Sequence, residues 1–236
     1  MFAVGFDYDL SAGLVLHYDG TGWSKMEGGA DGCLYAVWGS GPNDVFAAGD
    51  YTMIHYDGSA WCSMTIGSGD VCRALWGSAP NDVFAVGFDY DNVRALILHY
   101  DGTAWSRATT EPNAQQHLFG VWGSGPNDVY AVGHDYDSGL GLGLHYDGAT
   151  WTKVSPLSDK KTLLWGTWGA GSNDVFVVGF DYGRCRGQVF HYDGSVWSSP
   201  STWASSNALY AVWGSGPNDV FVTGEAGTIL HWTANQ

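Results

Sequence analysis

Short apolar runs alternate along the chain with turns rich in Gly, Asn and Asp, and residues 73–108 show the unit. "RALWG" (73–77) reads as a strand and "SAPND" as a turn. "VFAVG" (83–87) reads as a second strand, followed by the loop "FDYDNVR". "ALILHY" (95–100) is a third strand, and "AWSRA" (104–108), after "DGT", is a fourth. All four are enriched in β-branched and aromatic residues. In the third, Ala95, Ile97 and His99 fall on one face and Leu96, Leu98 and Tyr100 on the other. A strand apolar on both faces has to be covered on both.

The unit recurs. Trp-Gly stands at Trp38, Trp76, Trp122, Trp168 and Trp213. "HYDG" followed by Trp begins at His17, His55, His99, His145 and His191, and a remnant, "HW", stands at 231–232. Four-stranded antiparallel units that cover one another's faces are propeller blades. The repeats run about 1–33, 34–72, 73–117, 118–162, 163–208 and 209–236, and 1–236 is expected to be a single all-β propeller domain. The recurring Pro-Asn-Asp is a turn device, its Asx side chains expected to bond nearby backbone N–H groups. The two Trp per unit are expected to fill the seams between blades.

The phrase count gives five innermost, six second, six third and five outermost strands. Two closures follow: six blade positions with incomplete first and last blades, or five closed blades plus a spare hairpin. Expelling the hairpin would expose Phe2, Val4, Leu14, Val15 and Leu16, at ~1.5–3 kcal/mol per side chain, so six is expected. Because "MFAVG" opens mid-phrase, the chain reads as cut from a longer precursor.

On "VWGSGPNDVFAVG…LHYDGTAW", the chain resembles bacterial propeller repeats of the BNR/Asp-box and WD-repeat-like superfamily. It is also similar to photosystem-assembly-type propellers. "YDG-x-x-W" resembles an Asp-box in which His-Tyr replaces the leading Ser. The resemblance implies a propeller and leaves function open, since such folds host hydrolases, lectins and scaffolds.

Charge narrows the partners. The 236 residues carry 24 acidic and 9 basic side chains, net −15, a surface that repels nucleic acid and anionic membranes. No run approaches a membrane span, and no signal peptide is visible. Cys33, Cys62, Cys72 and Cys185 match no zinc spacing. They read as free or buried thiols, with a Cys62–Cys72 disulfide as the alternative.

Candidate chemistry sits in the loops between second and third strands. The four longer ones carry Asp-Tyr: Asp7, Tyr8 and Asp9; Asp89, Tyr90 and Asp91; Asp135, Tyr136 and Asp137; Asp181 and Tyr182. They are expected to open on one face as an acidic, aromatic rim. Tyr beside carboxylate suits carbohydrate. Asp-x-Asp also suits Ca²⁺, though no loop has a full ligand ladder, so no cofactor is expected. The bland alternative is that Asp caps the loop and Tyr packs on it. "GRCRGQ" (183–188) is the one asymmetric loop and makes Arg184 a candidate contact. The six strand histidines read as hydrogen-bonded seam residues, His117 as part of a connection between blades, and His134 as a loop residue able to touch a ligand. No nucleophile elbow, zincin helix or phosphate loop is present.

The expected function is therefore a non-catalytic binding module, secreted or at the cell surface, whose partner is carbohydrate in a lectin-like manner. The alternative is a protein-interaction scaffold, and a glycan-cleaving enzyme is the third. Unpaired strands at both ends lead us to expect strand exchange between chains.

Overall fold

The computed structural model describes residues 1–28, 30–108, 115–199, 203 and 205–233. The chain divides into two compact units, Met1–Ala114 and Gln115–Gln236. The first unit holds three antiparallel sheets. They are Phe2–Asp7, Ala12–Tyr18 and Trp23–Lys25 (β1–β3); Leu34–Gly41, Asp44–Gly49, Met53–Tyr56 and Trp61–Ser63 (β4–β7); and Asp70–Ala79, Asp82–Asp89, Arg94–Tyr100 and Trp105–Arg107 (β8–β11). The second unit also holds three. They are Gln116–Gly125, Asp128–Asp135, Leu140–Tyr146 and Trp151–Lys153 (β12–β15); Thr162–Gly171, Asp174–Asp181, Arg186–Tyr192 and Trp197–Ser198 (β16–β19); and Leu209–Gly216, Asp219–Gly224 and Ile229–Trp232 (β20–β22).

These are the six expected blade positions, four with four strands and two with three. Among the described residues the first sheet has no innermost strand and the sixth no outermost one. The alternative with a spare hairpin is corrected: Phe2, Val4 and Val15 pack into one core with Leu34, Val45, Ile54 and Trp61 of the second sheet.

The seams follow from the repeated phrases. Inner-strand Trp rings lie over the Trp-Gly glycine of the following sheet. A Cβ on Gly77 would meet the Trp38 ring at 2.7 Å, one on Gly169 the Trp122 ring at 2.5 Å, and one on Gly214 the Trp168 ring at 2.6 Å. A side chain at these glycines would push the sheets apart. The outer Trp closes the seam from the other side. Trp61 stands edge-on to Phe2 (6.0 Å), Trp105 to Phe46 (5.9 Å) and Trp197 to Tyr130 (5.8 Å). Beside the three-stranded sixth sheet, buried Trp203 from the preceding connection takes this place, stacked on Phe176 at 5.8 Å and close to Trp232.

The two Asp phrases play different parts. In "HYDG" the Asp accepts from backbone N–H groups two and three residues on: Asp57 from Ser59 and Ala60, Asp101 from Thr103 and Ala104. Hydrogen bonds from Thr103, through hydroxyl and backbone, and from Ala104 pull the Asp101 carboxyl down to about 2. The following glycine needs its left-handed φ (+94° at Gly102) and packs on Asn81 of the neighbouring turn. The Asp of Pro-Asn-Asp does not bond backbone N–H groups as expected. It opens the second strand and binds side chains: Asp82 accepts from Ser78 Oγ and pairs with His99 Nε2 at 2.6 Å, and His99 stacks on Phe84. The same Ser–Asp–His link stands at Ser40–Asp44–His55, Ser124–Asp128–His145 and Ser215–Asp219–His231.

The looser fifth copy replaces the Ser by Ala170, and the buried Asp174 Oδ2 there has no donor among the described residues. Ala170→Ser should therefore stabilise the protein by about 1 kcal/mol, read as a rise in urea midpoint. An unchanged or lower midpoint would count against the role given to this link.

Candidate functional site

The strand pleat decides where the rim residues point, because adjacent residues face opposite sides. The first Asp of each long loop turns inward and caps it. Asp7 accepts from the N–H groups of Asp9 and Leu10 and pairs with Lys25 at 2.8 Å. Asp135 accepts from Asp137 N, Ser138 N and Gln116 Nε2, and Asp181 accepts from Arg184 N. Burial pushes the Asp135 carboxyl up, but the bonds from Gln116, Ser138 and Asp137 outweigh it and hold it below the usual range.

The third sheet does this with charge. Asp70 and Asp89 face each other across β8 and β9, and both are fully buried. Arg107 bridges them, donating through Nη2 to Asp70 and through Nη1 to Asp89 at 2.9 Å; Arg94 and Asn92 also donate to Asp89. Burial raises the Asp89 carboxyl, and the Asn92 bonds and the Arg107 charge more than reverse it.

The tyrosines point outward. Tyr8, Tyr90, Tyr136 and Tyr182 are 87%, 49%, 51% and 51% exposed. Each stands edge-on to the ring two residues before it: Phe6 at 5.2 Å, Phe88 at 4.7 Å, His134 at 4.6 Å and Phe180 at 5.3 Å. Backbone bonds from Tyr90, Tyr136 and Tyr182 N–H to the carbonyls of Gly69, Gln115 and Lys161 fix them beside the connection into their own sheet. Asp9, Asp91, Asp137 and Arg184 are exposed, and Asp91 accepts from Ser68 Oγ at 2.8 Å.

Two histidines lie elsewhere than expected. His134 is in β13, buried, and bonded through Nδ1 to Thr162 O at 2.8 Å; its ring packs on Tyr136 and faces Tyr182 at 6.4 Å. His117 is in β12 opposite His134, with its ring 4.9 Å from Tyr136 and 6.2 Å from Phe119. In the second unit, Tyr182, His134, Tyr136, His117 and Phe119 thus form a continuous aromatic ribbon.

The inner-strand bulges were not anticipated. Each inner strand slips twice against its neighbour, once beside the turn at Ser40, Ser78, Ser124, Ala170 and Ser215, and once mid-strand at Tyr35, Arg73, Phe119, Trp165 and Tyr210. Each bulge adds an unpaired residue to the innermost edge. In the first unit the Arg73 guanidinium sits 4.2 Å over the Tyr35 ring, and Tyr35 OH donates to Asp50 at 2.6 Å. Burial and this bond raise the Tyr35 phenol, keeping it a donor. In the second unit Trp165 and Tyr210 meet edge-on at 4.9 Å.

The short loop's Asp50 and Tyr51 were also overlooked. They border an open cavity of about 470 Å³ with Asp31, Thr52 and Ser63 on its wall. The Tyr51 ring, 57% exposed, lies 6.4 Å from that of Tyr90. All four cysteines are free, with Cys72 buried and its thiol pushed up to about 12 by burial. Among the described residues no group of three or more His, Cys, Asp or Glu could hold a metal. Among the described residues no helix is long and apolar enough to cross a membrane.

Repeated antiparallel sheets with bulged inner strands and ring-bearing loops define a β-propeller. No family model matches the sequence, and no curated protein does. Solved propellers match in fold. YCF48 from Cyanidioschyzon merolae is 13% identical, with TM-score 0.65 over 95% of this chain and 75% of its own. An ancestral GH74 enzyme is 12% identical, with TM-score 0.68 over 94% of this chain; the chain spans 35% of that enzyme. SapL1 lectin, in complex with alpha methyl fucoside, is 15% identical, with TM-score 0.59 over 99% of this chain and 92% of its own.

Proposed function

We propose that the protein is a non-catalytic binding module of the Asp-box-like propeller group, secreted or at the cell surface, with carbohydrate as its ligand. The observation that carries this is the set of half-exposed tyrosines, each anchored edge-on and backed by a capped loop. Such rings offer flat apolar faces at little entropic cost. Exposed Asp9, Asp91 and Asp137, and the cavity beside Tyr51, supply acceptors for hydroxyls. SapL1, which shares the fold, is a lectin. Net −15 favours neutral sugars over acidic ones.

The Ser–Asp–His links do not support hydrolysis. Each Ser Oγ donates to the Asp, so no imidazole faces it as a base. We also propose that no cofactor is required. The first carboxylate of each Asp-x-Asp is already engaged by N–H groups, Gln116 or Arg107, which leaves few oxygens for Ca²⁺. A protein-scaffold reading draws on the bulge aromatics Phe119, Trp165 and Tyr210.

A glycan array tests the reading. Tyr136→Ala/Tyr182→Ala should lose about 2 kcal/mol of binding to neutral glycans, at about 1 kcal/mol per ring, while still unfolding in urea in a cooperative transition. Binding to no glycan, or equal binding by the variant, would refute it.

A further inference from the structure

The asymmetric loop between β17 and β18 is where the basic side chains of this acidic protein gather. Five of the nine lie between residues 153 and 186: Lys153, Lys160, Lys161, Arg184 and Arg186. In the first unit, Lys25, Arg94 and Arg107 are engaged by Asp7, Asp89 and Asp70, and Arg73 lies over the Tyr35 ring. Among the described residues of the second unit, Arg184 is the one Lys or Arg with an ion pair. That pair is long and open to water: Nη1 stands 3.5 Å from the Asp181 carboxylate, and the side chain is 58% exposed. Arg186 is left with less. It lies opposite Asp181, as Arg94 lies opposite Asp89. Arg94 donates through Nε to Asp89 at 3.3 Å. Asp181 is taken instead by the N–H and Nη1 of Arg184, and Arg186 Nε is buried with no acceptor among the described residues. An incoming anion relieves a guanidinium in that state.

The topology keeps the opposing charge away. In an antiparallel meander the loops between second and third strands share one end with the connections into each sheet, and the Pro-Asn-Asp and HYDG turns share the other. In the second unit Asp128, Asp147, Asp174, Asp193 and Asp219 all stand at the turn end. At the loop end of the fourth and fifth sheets, Asp135 and Asp181 are buried and engaged, which leaves Asp137 and Asp159 exposed. Lys160, Lys161, Arg184 and Arg186 face that end together. Lys161 O accepts from Tyr182 N–H at 2.9 Å, so the Lys161 backbone lies against the exposed Tyr182, two residues before Arg184.

We propose that the loop end of the fifth sheet is a subsite for an acidic sugar residue, a uronate, with its ring on Tyr182 and its carboxylate held by Arg184, Arg186 and Lys161. This rests on the carbohydrate reading above and deepens it. The net charge of the whole chain disfavours acidic ligands, but beyond a Debye length of about 10 Å the distant carboxylates are screened and the local cations decide. A guanidinium fork takes a carboxylate through two parallel hydrogen bonds. Tyr182 adds a flat face for the sugar ring, which an acidic peptide would not require.

Calorimetric titration of the whole protein with tetragalacturonate and with its fully methyl-esterified form tests this, because the ester keeps the sugar rings and removes the charge. At an ionic strength of about 20 mM the acid should bind about tenfold tighter than the ester, and at about 500 mM the preference should fall below about threefold. Arg184→Gln/Arg186→Gln should abolish the preference while ester binding stays within about threefold of the parent. Lys161→Gln, at an exposed position outside the loop, should weaken acid binding about threefold and leave the ester unaffected, which keeps the test independent of how the double variant folds. Equal binding of acid and ester, or a preference unchanged in both variants, would overturn the proposal and leave the sugar reading standing on the ester. Binding of neither would overturn it as well, while the sugar reading stands or falls on the neutral glycans of the array. Displacement of the acid by polyglutamate at equal carboxylate concentration would show that charge alone is read, and would overturn the assignment to a sugar.

Discussion

Arg107→Met should cost the protein 3–5 kcal/mol at pH 7, because it leaves Asp70 and Asp89 facing each other without their shared cation. For a chain of this length that is a fall in Tm of about 10 °C. The pH dependence separates this cause from lost packing. In the variant, like-charge repulsion and burial raise one folded-state carboxyl above its unfolded value. The penalty is therefore full well above that raised value and is relieved as protonation neutralises the group. The deficit against the parent protein should shrink between pH 7 and pH 5. A loss below 1 kcal/mol, or a deficit independent of pH, would show that the bridge is a surface ornament.

Phe176→Ala should destabilise by a similar 3–5 kcal/mol, through cavity formation rather than charge. Phe176 is buried against Trp168, His191 and Trp203 and joins the fifth and sixth sheets. Phe176→Leu, which keeps most of the volume, should recover more than half of the loss. Chemical denaturation of both variants measures this, and a Phe176→Ala loss under 1 kcal/mol would deny Trp203 its role as seam filler.

The sheets were readable from the sequence because each strand is apolar on both faces and each turn repeats its chemistry. Even the unequal end sheets could be counted from the phrases. Positions set by contacts distant in the chain were not readable. A bulge leaves no mark on an apolar run, so Tyr35, Phe119, Trp165 and Tyr210 read as ordinary strand residues. Arg107 meets Asp70 across 37 positions, and its own strand gives no sign of it. Trp203 lies outside every repeat phrase. The Asp-Tyr pairs were found, but as one rim. Strand alternation separates them: Asp7, Asp89, Asp135 and Asp181 hold the loops, and the tyrosines face out beside the exposed Asp9, Asp91 and Asp137.

The most direct measurement of the binding claim is a crystal structure of the protein soaked with neutral oligosaccharides and calcium together. The account predicts sugar density stacked on the outward tyrosines, foremost along Tyr136, His117 and Phe119, with the Asp89 and Asp135 carboxylates still held by Arg107 and Gln116. Calcium between the paired loop aspartates, with bare tyrosines beside it, would contradict it.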